Sequence, residues 1–293
     1  MALGLHECCR TETIFGRRLD ETNTCDRSSI VYMADIDPVP HVHNQSVDAA
    51  LIMEAAMLAN QSYSKWGVFE GCPMVDSGFP IEVRSALMPG PKCVAWKFRG
   101  SGNLVLAFRG TAGRNDILAD LKVEQVPMTQ VSGVLVHEGF LEYYRLLLTG
   151  ISTIITEYAR DSQTIVLTGH SLGGAVATLG CAELSHQYPH IRIICVTFGS
   201  PRVGNADFAN WYRERVFRTF RLVNRKDPVA DLPHSGNYIH VCPAIIIRNN
   251  KGISHVHDVF KTSLTRLTGR GIHAMDHSMK SYLRQTQRWA LEG

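Results

Sequence analysis

Apolar positions along the chain follow two periods. From Val47 onward Ala50, Leu51, Met53, Ala56 and Met57 recur at helical spacing, with Ser46 placed to cap the first turn. Residues 93–99 and 103–109 are short apolar runs separated by Gly100, Ser101 and Gly102, which predicts a hairpin. Between 139 and 160, Phe140, Tyr143, Tyr144, Leu147, Ile151, Ile154, Ile155 and Tyr158 return every turn and predict a long helix with one buried face. Beyond it, a strand over 164–168, a helix over 172–186, a strand over 192–198, a helix over 205–215 and a strand over 217–223 alternate without interruption. Such alternation predicts an α/β fold, a mostly parallel central sheet with helices on both faces. Residues 1–44 hold no sustained period and are rich in Asp, Asn, Thr, Arg and Ser, so they read as an N-terminal extension to a folded domain over 45–293.

Composition narrows the class. With 293 residues, 45% hydrophobic and 19% charged, the chain can bury a continuous core in one large α/β domain. A net charge of +3 with scattered Lys and Arg excludes a nucleic-acid tract. Nowhere do 18 apolar residues run together, so no transmembrane segment is expected, and the polar start of the sequence lacks the apolar run of a signal peptide. Eight cysteines do not make a disulfide framework in a chain this long, and Cys181 and Cys195 fall in a predicted buried helix and strand. Free thiols and a cytoplasmic or membrane-peripheral location are the resulting expectations. Cys8 and Cys9 lack a second ligand pair at metal spacing, so neither a metal nor a cofactor is expected.

The strongest chemical signal is Gly169-His170-Ser171-Leu172-Gly173, between the apolar strand Ile165-Val166-Leu167-Thr168 and the apolar helix opening Ala175-Val176-Ala177-Thr178-Leu179. A strand that reverses into a helix within two residues holds a serine at a strained turn and needs small neighbours on either side, which Gly169 and Gly173 supply. A serine hydroxyl is a weak nucleophile; it needs an imidazole to take its proton and a carboxylate to fix that imidazole's tautomer. In an α/β-hydrolase fold these follow in the order serine, acid, histidine. Asp227 and Asp231 both follow the strand ending Leu222-Val223-Asn224; Pro228 favours an extended or turn geometry at Asp227, and Asp231 reads as a surface residue. Six histidines lie beyond Asp227, so order alone does not select the base. His255 and His257 beside Asp258 superficially suggest metal ligands but read better as a strand or loop, whereas His277 stands just before a helix carrying Met279, Tyr282 and Leu283 on one face.

Beyond the elbow, the sequence resembles the class 3, or fungal-type, lipase family over about residues 47–288. Phe108-Arg109-Gly110-Thr111 is similar to the family's oxyanion strand, residues 115–121 to its lid, and Val136-His137-Glu138-Gly139-Phe140 to its helix-entry motif. Phe198-Gly199-Ser200-Pro201-Arg202-Val203-Gly204, Asp227-Pro228-Val229 with Leu232-Pro233, and Asp276-His277 with Tyr282 follow in the family's order. The resemblance implies an α/β-hydrolase fold with Ser171, Asp227 and His277 as catalytic residues. It also implies an oxyanion hole from the N–H groups of Thr111 and Leu172, aided by the Thr111 hydroxyl, and structural roles for Arg109, His137 and His170. The tyrosine comes five residues after His277, farther than in the compact fungal enzymes, and residues 1–45 and 251–270 match nothing in the family.

The implied activity is hydrolysis of carboxylic esters of lipids through an acyl-serine, with no cofactor. Substrates in the family range over triacylglycerols, diacylglycerols, monoacylglycerols and phospholipids, met at a membrane or droplet surface. The alternative is a catalytically silent module that binds lipid or protein partners. Residues 113–121 set Ile117, Leu118, Ala119 and Leu121 against Arg114, Asn115, Asp116 and Asp120, the pattern of an amphipathic lid that opens at a lipid surface.

Overall fold

The computed structural model describes residues 45–64, 81–85, 87, 89–98, 102–111, 124–128, 131–159, 164–224, 227–234, 237–247, 253–257 and 277–292. The N-terminal extension and the amphipathic segment 113–121 lie outside the described residues.

Helix α1 (Gln45–Gln61) opens the described chain, so Ser46 falls inside its first turn, not at a cap. Strand β1 (Ile81–Arg84) precedes the hairpin of β2 (Lys92–Lys97) and β3 (Leu104–Phe108). A small ribbon, β4 (Gln125–Pro127) with β5 (Leu135–His137), leads into α2 (Glu138–Tyr158). Then come β6 (Thr164–His170), α3 (Leu172–Gln187), β7 (Arg192–Phe198), α4 (Ala206–Arg213), β8 (Arg218–Asn224), a 3₁₀ turn (Val229–Asp231), β9 (Ala244–Ile247), β10 (Ile253–His257) and α5 (Met279–Glu292).

Eight strands form the main sheet in the order β1-β2-β3-β6-β7-β8-β9-β10. From β3 to β9 the strands run parallel, and β1, β2 and β10 are antiparallel additions at the two edges. Residues alternate between the faces, as the pleat requires. Leu104, Leu106, Phe108, Ile165, Leu167, Ile193 and Cys195 pack with Phe140, Leu147 and Ile151 of α2, Ala175 and Leu179 of α3, and Phe208 of α4. Their sequence neighbours Val105, Ala107, Val166, Ile194, Val196 and Phe198 pack on the other face, under Leu51, Ile52, Ala55 and Ala59 of α1 and Met279 and Tyr282 of α5. This is an α/β-hydrolase fold, with apolar strands buried on both sides.

Candidate active site

The parallel register brings the candidate residues to the carboxyl ends of the central strands, where open α/β sheets carry their sites. Phe108 pairs with Gly169, and His170 with Phe198, so the ends of β3 and β7 flank the end of β6. Ser171 stands between β6 and α3 with φ 58° and ψ −129°, the only non-glycine residue with positive φ among the described residues. Its amide donates to the Phe198 carbonyl at 3.0 Å, and its own carbonyl accepts from Gly174 at 2.9 Å, so the turn is held from both sides. A Cβ on Gly169 would overlap the Gly173 carbonyl, and one on Gly173 would overlap the carbonyl of Phe108. Leu172 is the first residue of α3, and its N–H has no acceptor within the helix.

Thr111 lies three residues past the end of β3, and the turn before it is pinned by neighbours. Arg109 N–H donates to the Lys92 carbonyl at 2.9 Å, and the Tyr143 hydroxyl donates to the Arg109 carbonyl at 2.7 Å. A Cβ built on Gly110 would stand 3.4 Å from the Ser171 Cβ, so this turn runs directly beside the elbow.

Asp227 and His277 meet, although they lie 50 residues apart. His277 Nδ1 is 2.8 and 2.9 Å from the two carboxylate oxygens, so the ring donates there and its Nε2 carries the lone pair. The carboxylate is fully buried and takes two further donors: Val229 N–H at 2.9 Å and the Tyr282 hydroxyl at 2.6 Å. Tyr282 accepts in turn from Asn224 N–H at 2.9 Å. Burial, together with the Asp227 charge, raises the Tyr282 hydroxyl well above its ordinary pKa and keeps it a donor. Gly199, with φ 58°, leaves the necessary room, since a Cβ there would stand 2.9 Å from the Tyr282 oxygen and 3.2 Å from His277 Nδ1. Ser171 Oγ and His277 Nε2 are both buried and without a hydrogen-bond partner among the described residues.

One residue stands differently from its sequence-based expectation. Asp231 is 4% exposed and not at the surface, because its charge acts on the guanidiniums of Arg202 and Arg221. Arg202 also donates to the carbonyls of Asp231 and Pro233, bracing the turn that follows Asp227. His255 and His257 belong to β10, and no cluster of metal-ligating side chains occurs among the described residues. Tyr63, whose hydroxyl lies 2.8 Å from His170 Nδ1, enters the site without a local sequence signal, reaching it across 107 residues, and Tyr282, which the sequence placed only by its family pattern, reaches Asp227 across 55.

A serine at a strand-to-helix elbow on a mostly parallel, doubly covered sheet defines the α/β-hydrolase class. Residues 105–236 match the family model for Lipase (class 3). It is 32% identical to the secreted mono- and diacylglycerol lipase 1 of Fusarium solani over 55% of this chain and 49% of that protein. It is 26% identical to phospholipase A1-Igamma2, chloroplastic, of Arabidopsis thaliana over 66% of this chain and 45% of that protein. The chain thus spans about half the length of the curated relatives it matches. Lipase II from Rhizopus niveus superimposes with a TM-score of 0.65 at 23% identity, over 79% of this chain and 93% of that one, a likeness of fold.

These relatives correct the expected location. The Fusarium protein and its Penicillium counterparts are secreted by name, which points to secretion and away from the cytoplasm. Cys93, Cys181 and Cys195 are free thiols but fully buried, so shielding from oxidant accounts for them and they carry no argument for a reducing compartment. Among the described residues no helix is long and apolar enough to cross a membrane.

Proposed function

We propose that the domain over residues 45–293 hydrolyses acyl esters of glycerolipids, with Ser171 as nucleophile, His277 as base, Asp227 as its orienting acid and the N–H groups of Thr111 and Leu172 as oxyanion donors. The observation that carries this is how the imidazole is committed. Asp227 takes its Nδ1–H, which leaves a buried, unpartnered Nε2 lone pair, while the strained elbow holds an unpartnered serine hydroxyl.

Ser171 Oγ attacks the ester carbonyl as its proton passes to His277 Nε2, and the carbonyl oxygen becomes an oxyanion facing the two N–H donors. The C–O bond to the glycerolipid then breaks, and the leaving alkoxide takes the proton from His277. Water repeats the sequence on the acyl-Ser171 ester and releases the fatty acid. The names of the Fusarium and Arabidopsis relatives support a glycerolipid, since both denote enzymes of acylglycerol or phospholipid esters. Such esters are presented at a membrane or droplet surface, and that is where the enzyme would meet them.

The test is fluorophosphonate labelling and ester turnover of the purified chain. The parent should be labelled at Ser171, and Ser171→Ala should lose labelling and about 10⁶ in kcat with the fold intact. Labelling at another residue or retained turnover would overturn the assignment, and an unlabelled parent would point to the silent binding module.

A further inference from the structure

We propose that Tyr63 is a positioning residue, whose hydroxyl locks His170 in the tautomer that holds the backbone of His277 in place. Tyr63 lies two residues beyond the end of α1, on no element of the catalytic strands. Its hydroxyl is 2.8 Å from His170 Nδ1, and His170 Nε2 is 2.5 Å from the His277 carbonyl. A carbonyl only accepts, so Nε2 must carry the proton; in a neutral ring Nδ1 then holds the lone pair, and the Tyr63 O–H meets it. Burial, with the His277 ring 4.6 Å away, keeps the His170 pKa well below that of an ordinary histidine, so the ring is neutral. The Tyr63 oxygen also takes a backbone hydrogen bond from Gly110, the residue before Thr111. One phenol therefore ties the oxyanion turn to the elbow and, through His170, to the base. Without its hydroxyl the buried His170 Nδ1 and the Gly110 N–H lose their partner, the ring is released to exchange tautomers, and the Nδ1–H form would turn a lone pair toward the His277 carbonyl.

The inference rests on the hydrolase function proposed above, and two measurements separate their failures. Nitrogen NMR of the histidine-labelled full chain, with the His170 signals identified by His170→Gln, should show a neutral Nε2–H ring with an accepting Nδ1 in the parent, and loss of that signature in Tyr63→Phe. This arm needs no activity; an Nδ1–H ring in the parent would overturn the proposal even if the enzyme is an esterase. On a soluble short-chain ester, Tyr63→Phe should lower kcat and the rate of serine phosphonylation together by about 10- to 100-fold with a KM within about threefold of the parent and a melting temperature lowered by only a few degrees, so that the protein is fully folded in the assay. His170→Gln keeps an N–H donor for the His277 carbonyl and has no tautomer to lock, so Tyr63→Phe should cost markedly less in that background. Turnover of Tyr63→Phe within about twofold of the parent, a loss carried by KM alone, or equal costs in the two backgrounds would each overturn the proposal.

Discussion

At the scale of single residues, the two aspartates beyond β8 separate chemistry from stability. Asp227→Asn keeps the shape of the side chain but can no longer fix the imidazole tautomer, so kcat should fall by about 10⁴ while the melting temperature stays near the parent's. Asp231→Asn should do the reverse: turnover close to the parent, but a loss of about 3 kcal/mol in chemical denaturation, because Arg202 and Arg221 lose the buried negative charge that faces them. If Asp231→Asn were the inactive variant, the acid would be misassigned. Gly199→Ala should also disable the site, since the added methyl occupies the space of the Asp227 carboxylate, the Tyr282 hydroxyl and His277 Nδ1. Activity assays alongside circular dichroism should find kcat down by at least about 100-fold in a folded protein. The elbow was legible in the sequence because its demand is local: an apolar strand, two glycines about a serine, and an apolar helix opening, all between Ile165 and Leu179. Tyr63, the contact of Tyr282 with Asp227 and the burial of Asp231 were not, because each depends on a contact between distant segments that no spacing along the chain encodes.

Among the elements, α4 shows how a helix end can secure the loops around the site. Asn205 is its N-cap: Oδ1 accepts from Phe208 N–H at 2.9 Å and Leu135 N–H at 3.3 Å, while Nδ2 donates to the Gly133 carbonyl at 2.7 Å. One side chain thus joins α4 to β5 and to the turn before it, beside the Val136–Gly204 bridge that anchors the loop from β7. Asn205→Ala should cost about 2 kcal/mol, the cap and its partner groups together, and lower the melting temperature by about 4 to 8 °C with turnover at 25 °C little changed. Asn205→Asp keeps the acceptor and loses the Gly133 donor, so calorimetry should place it between the two; an Asp variant as damaged as Ala would deny the cap its part. The long alternating segments of this α/β sheet, from α2 to β8, were readable because 3.6-residue and continuous apolar patterns persist there over many residues. Strand β6 runs on to His170, two residues past its apolar run, because the pairing with β7 continues to Phe198. Strands β1 and β9 have only four residues each and escape a periodicity argument, and they are found through their partners in the sheet.

For the whole molecule, three buried groups set how stability responds to mild acid. His170 and His240 are held well below the ordinary histidine pKa, each by burial first, then by the His277 ring for His170 and by Arg221 and Arg202 for His240. In both, Nε2–H donates to a backbone carbonyl, of His277 and of Ala230 at 2.8 Å, so the neutral form is the structural one. Unfolding frees these rings to bind protons near pH 6.5. Below that point the unfolded chain binds more protons than the folded one, and stability falls as pH falls; above it the contribution is complete. Glu54 acts with the opposite sign. Burial raises its carboxyl to about 7, so between about pH 4.5 and 7 the folded chain holds a proton that the unfolded chain has released, and stability is lost as pH rises. Two histidines against one carboxyl leave a net of about one proton near pH 5, close to 1.4 kcal/mol per pH unit, so stability rises from there with a slope that fades toward pH 6.5 as the unfolded histidines release their protons. Glu54→Gln removes the opposing group, so its slope near pH 5 should approach about 2.7 kcal/mol per pH unit and stay above the parent's up to pH 6.5, and the variant should exceed the parent in stability at pH 8. Urea denaturation of both proteins at half-unit steps from pH 5 to 8 measures the two slopes. A parent midpoint that stays level across that range, or a Glu54→Gln curve parallel to the parent's, would show that these buried groups do not govern the response to acid.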